Sequence, residues 1–120
     1  MDSARFERLV QQALDRIPEA LSAYLDNVDL VVEDWPVREQ LAGHVIDEGD
    51  YLLGLYEGVP LTERADYGMV LPDKITLFQM SIEAVCSSDE EIVEEVRNTV
   101  AHEIAHHFGI DDDRLEELGA

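Results

Sequence analysis

The feature that most constrains the fold is the segment 88–109, SDEEIVEEVRNTVAHEIAHHFG, which predicts one long helix. Ser88 is a favourable N-cap, and acidic residues follow it in the first turn, where they complement the helix dipole. Gly109 is a favourable stop because glycine readily adopts the left-handed conformation that ends helices. The predicted helix has about 20 residues, and its main apolar side chains fall within about 80° of arc on one face. They are Val93, Val96, Val100 and Ile104.

The rest of the sequence predicts an α+β arrangement in a single domain, residues 1–120. Apolar residues recur at helical spacing through residues 6–17, and Pro18 interrupts that helix before a second helical piece at 19–25. Runs rich in β-branched and aromatic residues predict three strands: 28–34, a segment from Tyr51 that Gly54 breaks, and 74–80. At most one helical turn within 37–50 and a short helix at 112–118 complete the prediction.

The charge of the chain excludes some partners. It has 28 acidic and 8 basic residues, a formal net charge of -20. Such a surface repels nucleic acid and anionic membranes, so neither is an expected partner. The chain shows no signal sequence and no membrane-spanning run of about 18 apolar residues, and its single cysteine cannot form an internal disulfide. These features predict a cytoplasmic protein in which Cys86 is a small, buried or half-buried side chain rather than a nucleophile.

His102, Glu103 and His106 form the pattern H-E-x-x-H within the predicted helix. Residues four apart differ by about 40° around a helix axis, so both imidazoles face the same way and can hold one metal ion. Glu103 lies one step round, where a carboxylate can take a proton from a metal-activated water. This arrangement predicts zinc-dependent hydrolysis, although two histidines and a carboxylate also suit iron(II). His107 lies about 140° from His102, so a packing role is expected for it.

A catalytic zinc usually has a third protein ligand and an open position. Because Gly109 can end the helix and turn the chain back, residues shortly after it can approach the ion. The spacing H-E-x-x-H-x-x-G-x-x-D places Asp112 where metzincins have their third histidine, so Asp112 is the predicted third ligand. Asp111 and Asp113 are expected to cap a helix or to face solvent.

The extended motif and two upstream blocks resemble the minimal zincin family of bacterial zinc metallopeptidases. The blocks are GLYEGVPLTER at 54–64, PDKITLFQ at 72–79 and RNTVAHEIAHHFGIDDDRLEELG at 97–119. The resemblance implies a zincin-like fold: a small twisted mixed sheet of three to four strands against a long active-site helix, with an N-terminal helix and a short C-terminal helix. It also implies zinc bound by His102, His106 and Asp112, with Glu103 as general base.

The same resemblance implies an edge strand that lines the cleft and pairs with an extended substrate. The segment 74–80 is predicted to be that strand, which places a peptide or protein substrate along Ile75 to Phe78. Unlike metzincins, the sequence has no methionine turn after the motif, since Met69 and Met80 lie upstream. A donor for the oxyanion must then come from upstream or from the metal alone. The candidates are Tyr56, Arg64, Tyr67 and His44.

Two other functions remain open at this point. The absent methionine turn and the small cleft favour a metal-binding protein-interaction module that has kept the zincin scaffold without turnover. A protease completed by another subunit, which would supply the missing donor, is the third possibility.

Overall fold

The computed structural model describes residues 1–42, 51–58 and 72–119. Its elements, in chain order, are α1 (Ser3–Asp15), α2 (Glu19–Ser22), a 3-10 turn (Ala23–Leu25), β1 (Val28–Glu33), α3 (Arg38–Leu41), β2 (Gly54–Glu57), β3 (Asp73–Phe78), α4 (Gln79–Val85), α5 (Asp89–Phe108) and α6 (Asp112–Glu117). The α+β class, the long helix, the N-terminal helix and the short C-terminal helix are confirmed. No helix in this part of the chain is long and apolar enough to cross a membrane.

Helix α5 begins and ends where its capping signals predict. The side chain of Ser88 accepts a hydrogen bond from the N–H of Glu91 at 3.1 Å, and α5 runs for 20 residues to Phe108. Gly109 then adopts the left-handed conformation, with φ 70° and ψ 30°. The N–H of Ile110 donates to the carbonyl of Ala105 at 2.8 Å, which closes the last turn in a Schellman-type bond. The chain therefore turns back directly after the histidine motif.

The core lies between α1, α5 and the sheet. Helices α1 and α5 pack against each other through their apolar faces, as the helical spacing of both segments predicts. Ile75 and Leu77 of β3 are fully buried in the same cluster, and Leu115 of α6 joins it. The buried residues contributed by the two long helices are Phe6, Leu9, Val10, Ala13, Ile92, Val93, Val96, Val100, Ala101, Ile104 and Ala105.

The three strands form a mixed sheet in the order β1-β3-β2, in which β3 is parallel to β1 and antiparallel to β2. The prediction that 74–80 forms an edge strand is therefore wrong. All six residues of β3 pair with β1 on one side, and residues 74–77 pair with β2 on the other. Strand addition needs unpaired backbone groups, so β3 lacks the free edge on which the predicted pairing along Ile75 to Phe78 depends.

Burial along β3 agrees with its central position. Thr76 and Phe78 are as fully buried as their neighbours Ile75 and Leu77, so both faces of the strand are covered. The strand also ends earlier than the sequence predicts, because Gln79 begins α4, a seven-residue helix that the alternating pattern did not indicate. Among the described strands, β2 forms the edge of the sheet next to α5.

Candidate active site

Gly54 allows β2 to lie directly against α5. A Cβ atom added to Gly54 would lie 2.6 Å from Cγ2 of Thr99 on α5 and 3.1 Å from the carbonyl oxygen of Thr76 on β3. The sequence predicted that Gly54 interrupts a strand, whereas it begins β2. Only a residue without a side chain permits this contact between strand and helix. The contact brings the backbone of β2 to the H-E-x-x-H segment.

Glu103 is held in place by that backbone. The N–H of Tyr56 donates to Oε1 of Glu103 at 3.0 Å, and Nδ1 of His106 lies 3.6 Å from Oε2. The side chain of Glu103 is only 18% exposed, compared with 77% for His106. A carboxylate that accepts a backbone N–H and is mostly removed from water keeps one orientation, which general acid–base chemistry requires.

His102 is oriented by the turn of helix that precedes it. Its Nδ1 lies 2.7 Å from the carbonyl oxygen of Asn98. Because a carbonyl only accepts, Nδ1 bears the hydrogen, and Nε2 of the neutral ring keeps a lone pair. Histidines that bind metals commonly donate their second ring N–H to a backbone carbonyl in this way. The geometry of His102 therefore fits a ligand that binds through Nε2.

Asp112 is the first residue of α6 and is exposed to solvent. Its neighbour Asp111 is the N-cap of that helix and accepts the N–H of Arg114 at 2.8 Å, as predicted, while Asp113 is exposed. Among residues 1–42, 51–58 and 72–119, no three His, Cys, Asp or Glu side chains are close enough to hold one cation. The role of Asp112 as third ligand thus stays a prediction, while the two histidines share one helix face next to Glu103.

A cleft of about 390 Å³ opens between α5 and the segment that leads into β2. Residues 52–54 form one wall, and α5 contributes Glu95, Asn98, Thr99, His102 and Glu103 to the other. The volume lies in the usual range for small-ligand pockets. The predicted first ligand and the predicted general base are therefore both on the surface of one concave site.

The side chain of Tyr56 contacts His107 and Asp73. Its ring stacks on His107 with 3.9 Å between centroids and 18° between planes, and its hydroxyl donates to Oδ2 of Asp73 at 2.6 Å. His107 therefore packs as predicted, although on an exposed surface and not in the core. Because the hydroxyl proton of Tyr56 points to Asp73, it is not directed to an oxyanion. The other candidate donors, Arg64, Tyr67 and His44, lie outside the described residues.

Cys86 does not belong to the candidate site. It is half-buried, and burial, with a smaller effect of the Glu95 and Glu91 carboxylates, raises the pKa of its thiol. A raised pKa disfavours the nucleophilic thiolate, in agreement with the packing role that the sequence predicts.

The sequence did not predict two of the contacts in this site. The carbonyl of Asn98 is four residues before His102, so helical register alone could have indicated it. The N–H of Tyr56 is 47 residues from Glu103 in the chain, and no local pattern relates the two. Backbone partners of this kind depend on which strand lies next to the helix.

Comparison with known proteins agrees with this geometry. A solved structure of a conserved hypothetical protein from Thermus thermophilus has 25% sequence identity and a TM-score of 0.58, with 90% of this chain and 94% of that chain covered. No curated protein matches the chain. The family described as zincin-like metallopeptidase matches residues 25–120. Since that match spans most of the sequence and agrees with both the mixed sheet and the long helix, the chain belongs to the zincin-like metallopeptidase family.

Proposed function

We propose that this protein is a zinc-dependent peptidase in which His102, His106 and Asp112 hold the metal and Glu103 is the general base. The observation that carries the proposal is that His102 and Glu103 line the same cleft, with Nε2 of His102 able to bind. Zinc held by these residues would lower the pKa of a water molecule and polarise a substrate carbonyl. The support for Asp112 is its exposed place three residues after the turn at Gly109.

Glu103 has the surroundings that a general base needs. The bond from the Tyr56 N–H orients its carboxylate, and partial burial strengthens its electrostatic interactions compared with those in water. Its task is to accept a proton from the attacking water and to pass it to the amine that leaves when the peptide bond breaks. We expect removal of this carboxylate to abolish turnover and to leave metal binding intact.

The substrate is expected to lie along β2. Its first residue, Gly54, lies in one wall of the cleft together with Leu52 and Leu53. The strand pairs only with β3 among the described strands. Extended peptides commonly bind by adding a strand to such an edge. Tyr56 already donates its N–H to Glu103, so the backbone of Gly54 and the adjoining wall are where we expect the peptide to pair. We thus propose that the substrate pairs along β2 and not along β3, where the sequence predicted it.

Metal content and peptide hydrolysis together test the proposal. Protein purified without chelators should contain one zinc per chain and should cleave members of a diverse peptide library. Glu103→Gln should keep its zinc and lose at least about 100-fold in kcat/KM. Glu94→Gln is the matched control. It removes the same charge from α5, but Glu94 pairs with Arg16 outside the cleft. Absence of zinc, or hydrolysis unchanged in Glu103→Gln, would refute the proposal.

The third ligand needs its own pair of variants. Asp112→Asn should weaken zinc binding, whereas Asp113→Asn, which changes the neighbouring exposed carboxylate, should not. Zinc affinity can be measured by competition with a chromophoric chelator. Equal affinities in the two variants would remove Asp112 from the ligand set and would leave the assignment of His102 and His106 untouched.

A second candidate is a metal-binding interaction module without turnover. The observation that favours it is that both oxygens of Glu103 have neighbours, the Tyr56 N–H at 3.0 Å and His106 at 3.6 Å. Both oxygens therefore already have a polar neighbour within the protein, which leaves less of the carboxylate open to an attacking water. Stoichiometric zinc together with equal background hydrolysis by wild type and Glu103→Gln would favour the module over the peptidase.

A further inference from the structure

One wall of the cleft is a single stripe of side chains on α5. Its members are Glu95, Asn98, Thr99, His102 and Glu103, and this spacing places them on one helix face. Glu95 and Glu103 are eight residues apart, which corresponds to about 12 Å along the axis. Glu103 therefore marks one end of the stripe, and Glu95 marks the end towards the helix N-terminus.

Glu95 differs from its acidic neighbours on α5 because it has no partner among the described residues. Glu94 bonds Arg16 and Arg97, and Glu91 accepts the N–H of Ser87. Glu95 is half-buried, yet within the described part of the chain it forms no hydrogen bond or ion pair with any side chain. A carboxylate that is partly removed from water is stabilised when a cation or a hydrogen-bond donor binds to it.

The other lining residues suit the stem of a long basic side chain. Leu52 and Leu53 are half-buried on the opposite wall, and no Lys or Arg is among the described residues that line the cleft. Arginine and lysine pack an apolar stem on hydrocarbon and present a charged head at its end. An acidic side chain would instead meet two carboxylates, and an aliphatic one would leave Glu95 desolvated without a partner.

We infer that the cleft selects peptides with an arginine or lysine close to the scissile bond, and that Glu95 is the specificity-determining residue. The inference rests on the proposed function, because it names the substrate class of the same cleft. The distance of about 12 Å corresponds to three or four residues of extended chain. The basic residue is thus within about four positions of the bond that is cleaved.

Paired peptides with arginine or citrulline at one position test this inference, because citrulline keeps the shape of arginine and lacks its charge. Wild type should prefer the arginine peptide by about tenfold or more in kcat/KM, the range of a charge-assisted hydrogen bond. Glu95→Gln should bring that ratio close to one. Glu94→Gln should preserve it, which controls for the general attraction of a protein of net charge -20 to any cationic peptide.

Binding to metal-free protein provides a readout independent of hydrolysis. The affinity for each fluorescent peptide, measured by anisotropy, should show the same preference for arginine and the same loss in Glu95→Gln. Because Glu95 has no partner in the described fold, the thermal unfolding of Glu95→Gln should match that of wild type, and a change in preference then reports recognition.

The outcomes separate the two proposals. Cleavage without an arginine preference, or a preference that survives Glu95→Gln, overturns the inference and leaves the peptidase in place. Binding that favours arginine through Glu95, without any cleavage, supports the inference and refutes the peptidase. If the protein shows neither cleavage nor selective binding, both proposals are refuted.

Discussion

Alanine at position 54 should disturb Glu103 without touching it. The added Cβ would lie 2.6 Å from Cγ2 of Thr99, whereas carbon atoms in contact are about 3.5–4.0 Å apart. The strand β2 must therefore move away from α5 by about 1 Å. The same movement would lengthen the 3.0 Å bond between Tyr56 N and Glu103 Oε1 to about 4 Å, beyond hydrogen-bond range.

Two losses are expected from Gly54→Ala, and they can be measured separately. Overpacking of this kind lowers the free energy of unfolding by about 1–3 kcal/mol, which denaturant unfolding will measure. A general base displaced by about 1 Å should reduce kcat/KM by about 100-fold. Faster hydrogen exchange of the Tyr56 amide would report the broken bond even without a substrate.

A second substitution tests whether Thr99 is the cause. Thr99→Ser removes Cγ2 and keeps the hydroxyl, so the double variant should recover most of the stability, activity and amide protection lost in Gly54→Ala. The 3.1 Å approach to the Thr76 carbonyl remains, so recovery will be incomplete. Additive effects in this double-mutant cycle, or a single variant as stable and active as wild type, would refute the close contact between β2 and α5 as the reason for the glycine.

Three further predictions concern the last turn of α5, the support of the cleft and the acid sensitivity of the fold. Gly109→Ala should lower the free energy of unfolding by about 1–2 kcal/mol, because φ is 70° and no atom lies within 4 Å of the added Cβ; Gly109→Asn should lose less, and equal losses in urea unfolding would contradict a purely backbone effect. Tyr56→Phe should lower the free energy of unfolding by about 1–2 kcal/mol, because it loses the 2.6 Å bond to Asp73. Its circular dichroism spectrum should be unchanged, and an unaltered unfolding midpoint would count against that bond. Arg16 lowers the pKa of Glu90 from its ordinary 4.5 by hydrogen bonding, so the pair stabilises the fold above that pH and loses its effect as the pH falls through the lowered pKa. Arg16→Gln should therefore be less stable than wild type at pH 7, and the difference should vanish in acid; a difference independent of pH would show that the charges are not responsible.

Much of the fold follows from local patterns. The N-cap Ser88 and the left-handed Gly109 bound α5 as predicted, because capping depends on the few residues next to each helix end. The helix wheel also predicted that His102 and His106 share a side and that the valines of α5 face the core. Such relations need only the geometry of one helix, which the sequence specifies directly.

The sequence-based predictions are wrong where pairing between distant segments decides the structure. The segment 74–80 has the residues of a strand, but β-branched and aromatic residues suit central and edge strands alike. Alternation along it suggested two different faces, whereas residues 75–78 are all buried. The helix at Gln79–Val85 was missed because it continues directly from that strand without a turn signal between them.

By itself, the sequence determined the long helix, its ends and the register that gathers His102, Glu103 and His106, because each depends on contacts within a few turns of one helix. Only the tertiary structure decided that β3 is central, that β2 lies against α5, and that the Tyr56 N–H orients Glu103. The physical reason is that strand order depends on the packing of whole elements against one core, which residues far apart in the chain determine jointly.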